Sequence, residues 1–192
     1  QEVICYGMGQ EVERGRQALA LARKGKKVVL ISSGDSGVYG MAGLAYELAR
    51  DRQMIEVIPG VSCVNAAATL LGAPLMQDFA VISLSDLLIP WEDIRKRLEL
   101  AARADFVLVL VNPRSQGRRE QIIRAWNIVL QHRPATTPVG IVRNAGRPGE
   151  SVVITDLAHL LEQEIDMVTT VIIGNRSTFS LEGCMVTPRG YK

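Results

Sequence analysis

The sequence predicts an α/β protein. Short apolar runs rich in β-branched residues alternate along the chain with segments of helical period. Of the 192 residues, 47% are hydrophobic and 22% are charged, which excludes a disordered chain. Strands that alternate with helices favour layered α/β structure with mostly parallel strand pairing.

The first third of the chain predicts three strands that alternate with three helices. Gly25 suits the C-terminal cap of the first helix, and the third strand stops at Pro59-Gly60. The β-branched run at 28–31 is typical of a strand buried on both faces. The predicted strands cover residues 2–5, 28–31 and 55–58, and the predicted helices cover residues 11–24, 38–50 and 62–71.

The remainder repeats the alternation, and its clearest strand is the apolar run at 106–111. The other predicted strands cover residues 79–84, 139–142, 151–155 and 168–173. Helices are predicted within 86–104 (beginning near Pro90 or Trp91), at 117–132 and at 156–163. The segment 72–78 contains Gly and Pro and shows no periodicity. We therefore expect a domain boundary there, with domains at 1–76 and 77–192.

Composition excludes several classes of function. A formal net charge of +2 argues against a dedicated nucleic-acid binder. The longest apolar run is too short to span a bilayer. Three scattered cysteines without a CxxC motif, and two histidines, favour neither a disulfide framework nor a metal site. The sequence predicts a reduced, cytoplasmic protein without nucleic-acid, membrane or metal partners.

Two loops are candidates for ligand binding, because ligands of α/β sheets bind where strands end and helices begin. The glycine loop (residues 32–40) has three glycines that free its backbone to approach a ligand, with Asp35 near its tip. The Pro-Gly turn (residues 59–63) contains Ser62, which suits a helix cap. Ordinary strand-to-helix turn chemistry explains both loops equally well.

Three catalytic motifs are absent or misleading. The string Gly34-Asp35-Ser36-Gly37 looks like the nucleophile loop of chymotrypsin-like proteases, but no histidine precedes Ser36 and the surroundings are not all-β. The sequence contains neither a phosphate-binding Gly-x-x-x-x-Gly-Lys-Ser/Thr loop nor a Gly-x-Gly-x-x-Gly motif.

Arginines cluster behind two of the predicted strands. Arg114, Arg118 and Arg119 follow the strand at 106–111, and Arg143 and Arg147 follow the strand at 139–142. An arginine at such a strand end can pair bidentately with a carboxylate or a phosphate. A solvated helix start accounts equally well for Arg118 and Arg119, whereas the setting of Arg143 favours binding.

These loops together resemble the tetrapyrrole methylase family, and within it the precorrin-3B C17-methyltransferases of cobalamin biosynthesis. The resemblance covers essentially the whole chain. The stretches that carry it are Gly7-Met8 with Glu11-Val12-Glu13-Arg14, residues 32–43, residues 57–62, residues 78–88 with Pro90-Trp91-Glu92, Asn112-Pro113-Arg114-Ser115, residues 140–147 and residues 187–191. The family has Pro where this chain has Ser36, and its opening strand and Gly-x-Gly-Pro-Gly-Asp loop do not precede Gln1. We therefore expect an incomplete N-terminal domain.

The resemblance implies two α/β domains with S-adenosylmethionine bound in the cleft between them, and S-adenosylhomocysteine as the product. The implied donor-binding residues are Ser33, Gly34, Asp35, Val38, Tyr39, Ser62, Cys63, Asn112, Ala145, Thr169 and Thr170. It also implies a homodimer that methylates C17 of precorrin-3B or a cobalt-precorrin, with contraction of the ring.

The many carboxylates of such a tetrapyrrole would suit Arg114, Arg118, Arg143 and Arg147. Asp35 and Asp86 are candidates for the acid or base of ring contraction. Two alternatives stay open: another methylase that acts at a different position or on a different substrate, and a catalytically silent fragment that only dimerises.

Overall fold

The computed structural model describes residues 2–7, 9–51, 54–115, 117 and 119–191. The chain folds as two compact units, residues 1–62 and residues 63–192. The mixed α/β class predicted from the sequence is confirmed. The domain boundary expected at 72–78 stays a prediction.

The first unit contains helices α1 (Glu11–Arg23) and α2 (Ala42–Ala49), which pack against each other. Gly15 brings them close, because a Cβ there would lie 2.7 Å from a methyl carbon of Leu48. The helix predicted at 38–50 begins later than expected, at Ala42, because the glycine loop occupies the residues before it.

The strands predicted in the first unit at 2–5, 28–31 and 55–58 are wrong. The backbone at these positions forms no strand ladder within the described residues. Val29 and Ile31 are about 80% exposed. A cavity of about 410 Å³ lies among α1, α2 and the segments 28–32 and 54–58. A β-branched run favours extended backbone, but a strand also needs a neighbour to pair with.

The second unit is built on a five-stranded sheet, whose strands are β2 (Phe79–Ser83), β3 (Val107–Val111), β4 (Pro138–Arg143), β5 (Ser151–Asp156) and β6 (Thr169–Ile173). Their order across the sheet is β2-β3-β6-β4-β5. Only the β2–β3 pair is parallel, and β6 runs antiparallel between β3 and β4. The expectation of mostly parallel pairing is therefore wrong for this sheet.

Helices cover both faces of this sheet. The second unit contains α3 (Cys63–Leu71), α4 (Trp91–Arg103) and α5 (Gln121–Leu130). In β3, Leu108 and Leu110 pack in the cluster with α4 and α5, whereas the alternate valines pack with α3. All five residues of β3 are buried, as a strand covered on both faces requires.

A small second sheet was not predicted from the sequence. It joins β1 (Gly72–Ala73), β8 (Cys184–Val186) and β7 (Phe179–Leu181) in that order. Glu182 and Gly183 connect β7 to β8, and both have positive φ, as a two-residue hairpin turn of type I′ requires. Residues 160–162 form a short 3₁₀-helix where a longer helix was expected.

Candidate functional site

The Asp35 carboxylate holds the glycine loop and the Pro-Gly turn together. Its Oδ1 accepts hydrogen bonds from the backbone N–H groups of Gly37 at 2.8 Å and Val38 at 3.0 Å. Its Oδ2 accepts the N–H of Gly60 at 2.8 Å, from 25 residues further along the chain. Asp35 of the glycine loop and Gly60 of the Pro-Gly turn therefore lie side by side within the first unit.

The absence of a side chain at Gly60 permits this close approach. A Cβ there would lie 2.3 Å from the carbonyl oxygen of Gly34, and backbone atoms cannot move aside as a flexible side chain can. The Ser36 hydroxyl adds a second tie between the loops by donating to the carbonyl of Ile58 at 2.9 Å.

These hydrogen bonds also set the charge of Asp35. The N–H groups of Gly60 and Gly37 favour the ionised form, so they lower the pKa of the Asp35 carboxyl below its usual range. With three backbone N–H groups bound to it, this carboxylate shapes the loop.

A second group of candidate residues lies at one edge of the large sheet. Strands β2, β3 and β4 end there, and the antiparallel strands β5 and β6 begin there, because Arg143 is opposite both Ser151 and Thr169 in the register. The structure therefore brings together several residues that the sequence analysis placed at strand ends: Asn112, Arg143, Ala145, Thr169 and Thr170.

Asn112 occupies a tight turn at the end of β3. Its φ is +52°, in the left-handed region that asparagine tolerates better than most residues. Its side-chain Nδ2 donates to the hydroxyl oxygen of Ser83 at 3.0 Å, which also accepts the N–H of Ser85 at 3.2 Å. These bonds connect the ends of the parallel strands β2 and β3.

Arg143 belongs to a hydrogen-bonded network with Asp166 and Thr169. The Arg143 Nε donates to Asp166 Oδ2 at 2.6 Å, and the Thr169 hydroxyl donates to Asp166 Oδ1 at 2.8 Å. Burial would raise the pKa of Asp166, but the hydrogen bonds from Arg143 and Thr169 outweigh it and lower that pKa. About a third of the Arg143 side chain remains exposed. The network thus orients a partly exposed guanidinium at the sheet edge.

The remaining predicted residues occupy different environments. Ser33, Gly34, Val38 and Tyr39 are exposed on the glycine loop, Ser62 is buried, and Cys63 is exposed at the start of α3. Arg114 and Arg147 are exposed, and Asp86 is half-buried on the loop after β2. Arg118 and the Met8 of the family-like stretches lie outside the described residues.

Sequence reasoning missed three residues that hold this edge: Ser83, Gln121 and Asp166. Gln121 Nε2 donates to Asp86 Oδ2 at 3.0 Å across 35 residues, a pairing without a local signal. Asp166 does have a local sequence signal, because aspartate and threonine side chains readily hydrogen-bond to backbone groups a few residues away. Its carboxylate accepts the N–H of Val168 at 3.0 Å.

The described part of the chain offers no helix that is both long and apolar enough to cross a membrane. Within the same residues, no group of three or more His, Cys, Asp and Glu side chains has the arrangement of a metal site.

Comparison with curated proteins shows relatives that match this chain along its whole length. It is 51% identical over 199 aligned residues to the cobalt-factor III methyltransferase of Priestia megaterium and spans 37% of that protein. It is 48% identical over 194 residues to the probable cobalt-factor III C(17)-methyltransferase of Salmonella typhimurium and spans 80% of that protein. The chain therefore spans little more than a third of the first relative's length and most of the second's.

Solved structures agree with these relatives. The crystal structure of the methyltransferase CobJ matches 93% of this chain and 77% of its own, with a TM-score of 0.86 at 35% identity. The uroporphyrin-III C-methyl transferase of Thermus thermophilus, complexed with S-adenosylhomocysteine, matches 86% of this chain and 74% of its own, with a TM-score of 0.66 at 27% identity. The family model for tetrapyrrole (corrin/porphyrin) methylases matches residues 8–161. The chain thus belongs to the tetrapyrrole methylase family, as its glycine loop and strand-end motifs indicated.

Proposed function

We propose that this chain is an S-adenosylmethionine-dependent C-methyltransferase of cobalamin biosynthesis that acts at C17 of precorrin-3B or cobalt-precorrin-3, with contraction of the ring. The observation that carries the proposal is the 48% identity, across the whole chain, to a probable cobalt-factor III C(17)-methyltransferase. The likeness to CobJ extends the same argument to three dimensions.

The residues on the glycine loop fit a methyl donor built from an amino acid and a nucleoside. Such a molecule carries both hydrogen-bond donors and hydrogen-bond acceptors, so its site needs backbone groups of both types. The exposed backbone around Ser33 and Gly34 offers both, because Gly34 has no side chain and a φ of +79°. Asp35 holds this backbone in shape through its three N–H contacts.

When bound, S-adenosylmethionine supplies a methyl group already activated by a positively charged sulfur. The protein's main task is then to hold the accepting ring carbon in line with that methyl group. This division of work accounts for a chain in which the sequence analysis found neither a nucleophile motif nor a histidine base. At the sheet edge, we assign Asn112, Ala145, Thr169 and Thr170 to donor binding as well.

Arg143 is the strongest candidate for a substrate carboxylate. Asp166 holds its Nε at 2.6 Å, and the side chain is about a third exposed, so the guanidinium is oriented before a ligand arrives. Arg114 and Arg147 are exposed and can contribute further charge. Replacement of Arg143 by Ala should weaken binding of the tetrapyrrole more than binding of S-adenosylhomocysteine, which it reaches only indirectly, through the Asp166 carboxylate shared with Thr169.

Between the two candidate carboxylates, Asp86 suits contact with the substrate better than Asp35. Asp35 accepts three backbone hydrogen bonds, whereas the described contacts of Asp86 give it one, from Gln121. Asp86 also follows β2 on the loop at the edge where Asn112 and Arg143 lie. We therefore assign Asp86 to the tetrapyrrole and Asp35 to the loop.

Homodimer formation and a cytoplasmic location are part of the same proposal. They rest on the family resemblance and on the reduced, scattered cysteines of the sequence. Light scattering on the purified chain tests the first, and a mass of one chain would contradict it.

The function is tested by titrating the purified chain with S-adenosylhomocysteine and then assaying methyl transfer. We expect a Kd on the order of 1 μM, about −8 kcal/mol. The assay measures S-adenosylhomocysteine release with precorrin-3B, with cobalt-precorrin-3 and with uroporphyrinogen III as the off-target acceptor. Release with either of the first two, together with a product carrying one additional methyl group, supports the proposal.

Two results would overturn it in different ways. Release with uroporphyrinogen III alone would assign the chain to another ring position. A folded chain that neither binds S-adenosylhomocysteine nor transfers a methyl group would favour the silent dimerising fragment.

A further inference from the structure

A buried glutamine at the start of α5 is not explained by stability. Gln121 is only 9% exposed, and its Nε2 donates to Asp86 Oδ2 at 3.0 Å. Its amide oxygen Oε1 is buried and has no hydrogen-bond partner in the described part of the chain. A buried acceptor without a partner destabilises a fold, whereas an apolar side chain of the same shape at that site would not.

The position of Asp86 indicates what the glutamine achieves. Asp86 is half-buried on the loop after β2, directly before Leu87 and Leu88, which are 77% and 96% exposed. An aspartate on such an exposed loop has several rotamers available, and a hydrogen bond from a helix selects one of them. The bond from Gln121 engages Oδ2, so the other carboxylate oxygen lies outside this contact.

The orientation of the Gln121 amide follows from the same contact. A carboxylate accepts hydrogen bonds but does not donate them, so the NH₂ group of the amide must face Asp86. The amide oxygen is then directed away and left buried without a partner. The unpartnered oxygen is therefore a consequence of holding Asp86.

We propose that Gln121 is a positioning residue that orients Asp86 toward a hydrogen-bond donor of the substrate, such as a pyrrole N–H. This inference rests on the proposed function, because it assigns a role to Asp86 in the same methyl transfer. It adds a residue to which neither the sequence motifs nor the family resemblance assigned a role.

The test compares Gln121→Met with Asp86→Ala and with the double variant. Methionine has nearly the shape of glutamine and no polar atom that needs a partner. We expect Gln121→Met to melt no lower than the wild type, to bind S-adenosylhomocysteine equally well and to lose about tenfold in kcat. Because Gln121 acts through Asp86, the double variant should be no slower than Asp86→Ala alone.

Two further variants sharpen the comparison. Gln131→Met removes an exposed glutamine just beyond the other end of α5 and should leave kcat and melting unchanged. Gln121→Asn keeps the amide on a shorter side chain that does not reach Asp86, so it should behave like Gln121→Met in kcat.

The inference fails if Gln121→Met keeps full kcat, or if it melts lower and its loss adds to that of Asp86→Ala, since both results describe a structural residue. These outcomes are distinct from failure of the proposed function. If the wild-type chain itself transfers no methyl group, the function is wrong and this inference is wrong with it.

Discussion

Replacement of Gly60 by Ala should disable the chain without unfolding it. The new Cβ would lie 2.3 Å from the Gly34 carbonyl oxygen and 3.3 Å from the Asp35 Cα. Non-bonded heavy atoms pack best at roughly 3.5 Å, so the two loops must separate by roughly 1 Å. The 2.8 Å bond from Gly60 N–H to Asp35 would then exceed hydrogen-bonding distance.

In the proposed methyl transfer, a displacement of that size should lower the rate, because the protein acts by placing the reacting atoms in line. A misplacement of about 1 Å lowers the rate on the order of 10²-fold. We therefore expect methyl transfer by Gly60→Ala, measured as S-adenosylhomocysteine formed per unit time, to be on the order of 10²-fold slower than that of the wild type. We also expect the variant to bind S-adenosylhomocysteine more weakly in a calorimetric titration. Asp35→Ala removes the other partner of the same bond and should weaken binding in the same direction.

Gly43→Ala is the matched control. Gly43 lies in α2, and a Cβ built there would have no described atom within 4 Å apart from its chain neighbours and the backbone of its own helix. This variant should keep full activity and gain up to about 1 kcal/mol of stability from the better helix former. Gly60→Ala activity within a few-fold of the Gly43→Ala value would refute the idea that the contact between the loops shapes the donor site.

Three predictions concern stability. Leu71→Ala should cost about 2–5 kcal/mol and Gly140→Ala about 1–3 kcal/mol in urea denaturation, because a Cβ on Gly140 would lie 2.4 Å from Leu71. The double variant should cost less than the sum by about 0.5–3 kcal/mol, and additive losses would contradict this contact. Arg133→Met should cost about 1.5–3 kcal/mol, because it removes the hydrogen bonds of this 1% exposed side chain to Asp105 and to the Phe106 carbonyl, while Asp105 keeps its ion pair with Arg176; a loss near zero would show that the Arg133–Asp105 ion pair contributes nothing. The Asp156 hydrogen bond raises the pKa of His159 above its ordinary value of 6.5. The contribution of this bond to the free energy of unfolding is therefore fully present below pH 6.5 and is lost as the pH rises through the pKa of the folded state. His159→Gln should therefore remove that part of the pH dependence, and an unchanged stability profile between pH 6 and 9 would contradict the assignment.

The sequence predicted the elements of the second unit well, because each one buries an apolar face of clear period. The strand expected at 106–111 is found at Val107–Val111, and the helix expected near Trp91 begins at that residue. Local pattern carries no information about which strands pair, so the antiparallel insertion of β6 between β3 and β4 was missed. The same limit explains why the segments of the first unit that were predicted as strands form no ladder among the described residues.

The expectation that binding residues lie where strands end identified much of the sheet edge, although the strand pairing was predicted wrongly. An antiparallel strand begins where its neighbours end, so Thr169 reaches the same edge as Asn112 and Arg143. That expectation does not show how such residues are held. Asp166 and Gln121 act through partners 23 and 35 residues away, which sequence spacing alone does not identify.

The carboxylates and amides at these sites share one physical role. Asp35 holds a loop, Asp166 holds an arginine, and Gln121 holds Asp86. A reaction whose leaving group is already activated gains most from fixed geometry, because its barrier is lowered by bringing the reacting atoms into line. Polar groups that orient other groups, as these three do, therefore fit the proposed methyl transfer from a sulfonium. A hydrolase of the same size would instead need a nucleophile held within reach of a base.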